Sequence, residues 1–420
     1  MSNTHKKVLE NNLRLIVHSM PGSKSCNTLV LVGAGSRYET LEQNGIAHFL
    51  EHMFFKGAKH YKNTKEVSEA IDGVGGEFNA FTAKEYAGYY VKVAKQHVET
   101  SMNVLSDMML NATFEKEEIE KERGVILEEY NMYQDTPMYQ ASWDFEKHLF
   151  GDHPMGRDQI GTKELIKSVT QEQFFDFQKK LYTPDNTVIC LVGDFESEEG
   201  FQLLEKYFQF PNTKKQLEFE PLKLEKNKPE IHVINKKTEQ AHLVLGFPSI
   251  SNKDPKKWAA KVLATALGGN MSSRMFLNIR EAKGLCYYIH TDCDLFSDCG
   301  SFSTRAGVDT TRAQDAITAI ENEYKKARKD GITQKELDKS KAYLLGKMLL
   351  RMEDSEYQAH FLAHQELIQN ELKSADQIKE IIDNITLDQV NTLAKELLDP
   401  NKLHLTIIGP YKEDQFTFTN

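Results

Sequence analysis

The chain contains a copy of itself, and this repeat limits its fold more than any other feature. Residues 170–193, TQEQFFDFQKKLYTPDNTVICLVG, align without a gap to residues 386–409, TLDQVNTLAKELLDPNKLHLTIIG, at a constant offset of 216. Thr170 meets Thr386, Gln173 meets Gln389, Leu181 meets Leu397, Pro184 meets Pro400 and Gly193 meets Gly409. Each copy reads as an amphipathic helix, a proline-containing turn and an apolar strand. Chance similarity of two such units is the weaker account, because the echoes continue. TLVLVG at 28–33 resembles AHLVLG at 241–246, and the helix opening at Phe114 resembles one opening at Ile332. Two similar domains of about 200 residues follow.

A chain of 420 residues also exceeds what one hydrophobic core usually supports. The polar stretch PNTKKQLEFEPLKLEKNKPE at 211–230 reads as an exposed connection. The expected division is therefore a domain over 1–210, a linker over 211–230 and a second domain over 231–420. Hydrophobic patterning places strands near 13–18, 28–34, 76–82, 86–93 and 187–193 in the first half, with helices near 42–57, 64–72 and through 96–182. The second half repeats the order, with strands near 229–236, 240–248, 286–294, 299–307 and 402–409 and helices through 311–398. Strands interleaved with and followed by helices indicate an α+β fold, helices packed on a largely antiparallel sheet.

A net charge of −10 argues against a nucleic-acid partner. No run of about 18 apolar residues occurs, and the start MSNTHKKVLENNLRLIV lacks the apolar core of a signal peptide, so the expectation is no membrane partner and a cytoplasmic protein. Cys26, Cys190, Cys286, Cys293 and Cys299 are odd in number and scattered, which suits isolated thiols rather than a disulfide framework or a thiolate metal site.

Within the first half, His48-Phe49-Leu50-Glu51-His52 spells H-x-x-E-H. Side chains four apart share one helix face, so His48 and His52 would present two imidazoles to one metal ion, with Glu51 beside it. The bland alternative is two histidines and a glutamate on a solvated helix. A catalytic zinc wants three protein ligands and an open position, and the downstream helix expected over 114–135 offers carboxylates. Glu122 and Glu129 lie two turns apart on one face, with Val125 and Ile126 between them on the inward side. Any single glutamate on so charged a helix is ordinarily surface.

The stretches Gly45-Ile46-Ala47-His48-Phe49-Leu50-Glu51-His52-Met53-Phe54-Phe55-Lys56-Gly57 and Glu122-Arg123-Gly124-Val125-Ile126-Leu127-Glu128-Glu129 resemble those of the pitrilysin-type metallopeptidases, whose inverted zinc motif is H-x-x-E-H. The resemblance runs from the Gly35–Glu39 turn to the strand ending at Gly409. It implies two αβ-roll domains, one Zn²⁺ per chain held by His48, His52 and Glu129, and Glu51 as general base. It makes Glu122 an auxiliary carboxylate that orients a ligand. Ser340 and Lys347 fall opposite Glu122 and Glu129 in the repeat, so only the first half can hold this metal.

Two further stretches gain meaning from the resemblance. Glu77–Thr82, unaided, is a strand entered from the glycine turn at 73–76. In the family it is an edge strand to which a peptide substrate adds, which makes Asn79 and Ala80 substrate-binding candidates. Gly268–Phe276 followed by Arg280 to Tyr287 reads as a glycine-rich loop, a helix and a turn into a strand. In the family an arginine and a tyrosine seven apart contact the substrate, and these fall on Arg280 and Tyr287, with Tyr288 pointing to the opposite strand face. The family's working unit has four such rolls around a chamber, so a chain with two implies a homodimer acting on a peptide substrate. Three competing functions are an inactive subunit of the same fold, a lyase sharing the H-x-x-E-H helix, and a peptide-binding module that does not cut. The filled ligand positions, the glutamate third ligand and the intact Glu51 weigh against each in turn.

Overall fold

The computed structural model describes residues 3–224 and 228–419; positions 225–227 of the expected linker and the terminal residues 1, 2 and 420 lie outside the described residues. The chain forms two compact units.

The first unit's sheet has six strands: β1 (Thr4–Val8), β2 (Arg14–Ser19), β3 (Ser25–Val32), β4 (Glu77–Thr82), β5 (Ala87–Ala94) and β6 (Thr187–Gly193). Their order is β1-β2-β6-β3-β5-β4, with only β2 and β6 parallel. The central β6 is buried along its whole length, as its unbroken apolar run TVICLVG requires. One patch of the sheet, built from Ile16, Leu29, Leu31, Val188, Cys190 and Val192, packs under Ala359, Leu362 and Ala363 of the helix Ser355–His364.

The second unit's sheet comprises β7 (Glu230–Asn235), β8 (Gln240–Ser249), β9 (Cys286–Leu295), β10 (Gly300–Asp309) and β11 (His404–Gly409). Its order β7-β11-β8-β10-β9, with only β7 and β11 parallel, reproduces β2-β6-β3-β5-β4 strand for strand. The repeat read from the sequence is thus a repeat of topology, and the two-roll α+β fold expected from it is the fold observed. The added strand β1 has no counterpart in that expectation. Its polar, part-exposed residues gave no alternating pattern to read.

The compact units cut the sequence differently from the contiguous halves expected. The first unit consists of the residues up to Tyr130, Arg157–Glu220 and Leu350–Leu372; the second takes Asn131–Gly156, Pro221–Leu349 and the residues from Lys373 onward. Each half of the sequence therefore lends a helix to the other's sheet. In the second unit that helix is Pro137–Phe150, whose Ala141, Phe145, Leu149 and Phe150 pack with Val244, Cys299 and Ile408. A covering helix reads as amphipathic whichever sheet it serves, so its local pattern cannot reveal the exchange. Among the described residues, no helix is long and apolar enough to cross a membrane.

Candidate metal centre

The motif helix, Ile46–Phe54, forms because its apolar residues fall on one side: Ile46, Phe49, Leu50, Met53 and Phe54 are buried, leaving His48, Glu51 and His52 on the other. Phe54 packs edge-on against Tyr89 and Phe114, with centroids 5.0 and 5.5 Å away, and Phe49 against Phe174 at 5.1 Å. Its start is set by Gly45, whose φ of +108° and approach to the Ile160–Gly161 backbone, 2.7 Å from where a Cβ would sit, exclude other residues. The buried Glu39 carboxylate accepts hydrogen bonds from the Gly45 and Ala47 amides at 2.8 and 2.9 Å and from Asn44 Nδ2 at 3.0 Å, so it caps the helix at its positive end. In the sequence alone Glu39 is only the last residue of the Gly35–Glu39 turn, with no local sign of a capping role.

The helix expected over 114–135 spans Lys116–Gln134, with Ile119, Glu122 and Ile126 buried. Val125 does not face inward as expected: it is 52% exposed, because the buried stripe runs through 119, 122 and 126 and leaves 125 on the outer side. Arg123 fastens this helix by donating to the carbonyls of Ile166 and Val169, both at 2.5 Å.

These two helices bring His48, His52 and Glu129 together, with one donor atom from each lying within 4.8 Å of the others. His48 Nε2 is 3.7 Å from Glu129 Oε1, and His52 Nε2 is 3.5 Å from Glu129 Oε2. Two imidazoles and a carboxylate are the donor set of a three-ligand zinc centre, so these residues fit the ion that the motif implies. Burial, and then the neighbouring His52, push His48 down to about 3, which leaves its imidazole neutral and able to donate a lone pair.

His52 is oriented from behind. Its Nδ1 lies 2.9 Å from Glu122 Oε1, and Lys56 Nζ lies 2.6 Å from Glu122 Oε2, a lysine–carboxylate–histidine relay of the kind that fixes a metal-binding imidazole. Burial opposes the charged form of Glu122, yet the bonds from His52 and Lys56 outweigh it and hold the carboxyl below its ordinary range. Burial also opposes protonation of His52, and the Glu122 bond and the surrounding carboxylates overcome it. Lys56 went unnoticed in the sequence because a lysine at a helix end is ordinarily solvated. His48 has no such support: among the described residues, its buried Nδ1 meets no hydrogen-bond partner.

Glu51 stands beside the cluster and accepts a hydrogen bond from Thr82 Oγ1 at 2.6 Å; burial raises its carboxyl above the ordinary range against that bond. Thr82 ends β4, the edge strand of the first unit. Asn79 and Ala80 lie on the same strand, Asn79 exposed and its Oδ1 accepting the Ala80 amide at 2.9 Å. In the second unit, Tyr287 is the second residue of the edge strand β9 and is 67% exposed. Tyr288 turns the other way and places its hydroxyl 3.0 Å from His242 Nδ1, which ties that ring into the sheet. Arg280 sits in a π-helical turn, Phe276–Glu281, with its guanidinium 4.7 Å over the Phe276 ring.

Residues 14–163 match the family described as Insulinase (Peptidase family M16), and residues 168–344 match Peptidase M16 inactive domain. The uncharacterized zinc protease YmxG of Bacillus subtilis is 35% identical over 96% of this chain and 97% of its own length. The chain belongs to peptidase family M16. An uncharacterized zinc protease of Streptomyces coelicolor is 32% identical over 98% of this M16 chain and 90% of its own length. A crystal structure of a protease from Helicobacter pylori superposes with a TM-score of 0.91 over 98% of this chain and 100% of that one, at 24% identity, and so shares the fold. The pitrilysin-type resemblance drawn from the H-x-x-E-H and E-R-x-V-x-x-x-E stretches is thereby established at the level of family.

Proposed function

We propose that this M16 chain is a zinc-dependent endopeptidase that hydrolyses peptides or short unfolded segments inside a closed homodimeric chamber. The observation that carries this reading is the convergence of His48 Nε2 and His52 Nε2 on the Glu129 carboxylate, at 3.7 and 3.5 Å, with the Glu51 carboxyl alongside. His48, His52 and Glu129 would hold one Zn²⁺ at this centre. When bound there, the ion polarises the substrate carbonyl and acidifies water, whose pKa can fall from 15.7 to about 7.

The chain's own residues do the rest. Glu51, held above the ordinary carboxylate range by burial and aimed by Thr82, takes a proton from the attacking water and delivers it to the leaving nitrogen as the C–N bond breaks. Glu122 and Lys56 keep the His52 ring in place. A substrate strand adds to β4, where Asn79 and Ala80 supply backbone partners and Asn79 gives up its bond to the Ala80 amide. Arg280 and the exposed Tyr287 donate hydrogen bonds to substrate carbonyl oxygens, as preorganised donors do in amide hydrolysis. A cytoplasmic location accords with five cysteines that are all free thiols.

The test is Glu51→Gln. The variant keeps its zinc by elemental analysis and loses turnover of a peptide library read by mass spectrometry, because an amide cannot accept the proton. Near-normal cleavage by this variant overturns the mechanism.

A further inference from the structure

The second unit, which lacks the H-x-x-E-H helix, carries its own convergence of side chains able to bind a metal. His148 lies near the C-terminal end of the covering helix Pro137–Phe150, Glu230 opens β7 and His404 opens β11. The parallel pairing of β7 with β11 sets Glu230 directly beside His404, and the covering helix lowers His148 onto that pair. One donor atom from each residue lies within 4.8 Å of the others. His148 Nε2 is 3.1 Å from Glu230 Oε2, and His404 Nε2 is 3.8 Å from the same oxygen. Zinc bonds of about 2.0–2.1 Å in a tetrahedron hold ligand atoms roughly 3.3–3.4 Å apart, so this spacing needs only small side-chain adjustments.

The imidazoles are prepared in the manner of metal ligands. His404 Nδ1 is 2.8 Å from the Lys402 carbonyl, which can only accept, so Nδ1 carries a proton and Nε2 is the atom left to bind. His148 Nδ1 faces Thr406 Oγ1 at 3.5 Å, again leaving Nε2 toward Glu230. A third ring, His232 on the neighbouring strand position, has its centroid 5.4 Å from that of His148. The helix end also favours a positive charge. His404 is fully buried while the Glu230 side chain is 38% exposed, an arrangement with a fixed inner ligand and an open route for an ion and a water.

The repeat supplies an internal comparison. Val188 is the counterpart of His404 at the offset of 216, and Arg14 pairs with Val188 as Glu230 pairs with His404. In the first unit this place is held by charge: Glu366, in the turn after that unit's covering helix, takes Lys6 at 2.6 Å and Arg14 at 3.8 Å. An ion pair there ties helix to sheet. The second unit has a carboxylate, Glu230, where the first has Arg14, and sets two imidazoles, His148 and His404, beside it in place of that ion pair.

We propose that His148, Glu230 and His404 form a second divalent-metal site, of the class zinc fills, which fastens the covering helix of the second unit to the paired starts of β7 and β11. The site is structural: it joins three segments distant in sequence and takes no part in peptide hydrolysis.

The experiment uses the full chain with the first centre disabled by His48→Ala and His52→Ala. After dialysis against buffer containing equimolar zinc, elemental analysis finds one zinc per chain in this double variant, and cobalt substituted for zinc gives visible d–d absorption. Adding Glu230→Gln, or separately His148→Gln, weakens zinc binding about a hundredfold in chelator competition and removes the thermal stabilisation that zinc confers. Both added substitutions keep a polar side chain near the surface and leave the circular dichroism unchanged, which separates loss of metal from loss of fold. Zinc content below a tenth of an ion in the double variant, or binding that appears only at millimolar zinc, overturns the proposal. So does one zinc per chain that survives both added substitutions. None of these outcomes depends on whether the first centre hydrolyses peptides.

Discussion

Thr82 Oγ1 donates to Glu51 Oε2 at 2.6 Å, so the last residue of the edge strand holds the carboxyl placed beside the His48–His52–Glu129 cluster. The strand that would receive a substrate and the group that would move its proton are thus one mechanical unit. Thr82→Val keeps the shape and removes the donor. We expect kcat to fall about tenfold with KM and zinc content little changed. A variant with wild-type kcat would show that Glu51 needs no aiming.

Glu122 connects Lys56 to the back of His52. Glu122→Gln replaces one anionic acceptor with an amide that cannot serve both, and zinc affinity should drop roughly 10–100-fold. Chelator competition measures this directly, and an unchanged dissociation constant would remove Glu122 from the centre.

Losing a ligand should be harsher than losing its support. His48→Ala and Glu129→Gln are expected to release the ion from the first centre and abolish hydrolysis together, and chelation of the wild type should do the same, with activity returning on zinc addition. The reading fails if Glu129→Gln binds zinc at this centre as tightly as the wild type.

Acid should weaken the second unit through Glu336. Burial alone would raise this carboxyl, but the Arg274 guanidinium and the Thr333 amide, the latter at 2.7 Å, hold it down at about 2. A depressed carboxyl stabilises fully above its unfolded value near 4.5 and loses that contribution as pH falls toward about 2. Glu336→Gln should cost on the order of 2 kcal/mol at pH 7, less than the full shift because the pair is partly solvated, and the gap to wild type should close in acid. Urea titrations at pH 7, 4 and 2.5 measure it; a gap that stays constant with pH would contradict the assignment.

Two rolls per chain should pair into four. Sedimentation of the active enzyme is expected to give a dimer, and a monodisperse monomer with full activity would rule out the chamber.

The core of the candidate metal centre was legible because its pattern is local: His48 and His52, with Glu51 between them, fit on two turns of one helix. Glu129 needed the family pattern, since nothing in its own neighbourhood separates it from Glu128. What stayed hidden were partners set by tertiary contact, namely Glu39 under the helix start, Lys56 behind His52 and Thr82 beside Glu51. Each is an ordinary residue in its local context and acquires its role only when a strand or helix folds against it. The strands emerged within a few residues of their expected bounds because apolar runs between turns are strong signals. Strand β1 did not, and neither did the allocation of 131–156 and 350–372, because packing across the fold leaves no mark on a short window of sequence.

That allocation has a consequence for how the polypeptide is made. By the time Gly193 leaves the ribosome, all six strands of the first sheet exist, but the helix Ser355–His364 that covers Ile16, Leu29 and Leu31 is still unsynthesised. Translation must run on to residue 372 before that apolar face can close, so the nascent sheet waits half-dressed and open to chaperones or to misassembly. Splitting the gene at the apparent linker would make that wait permanent.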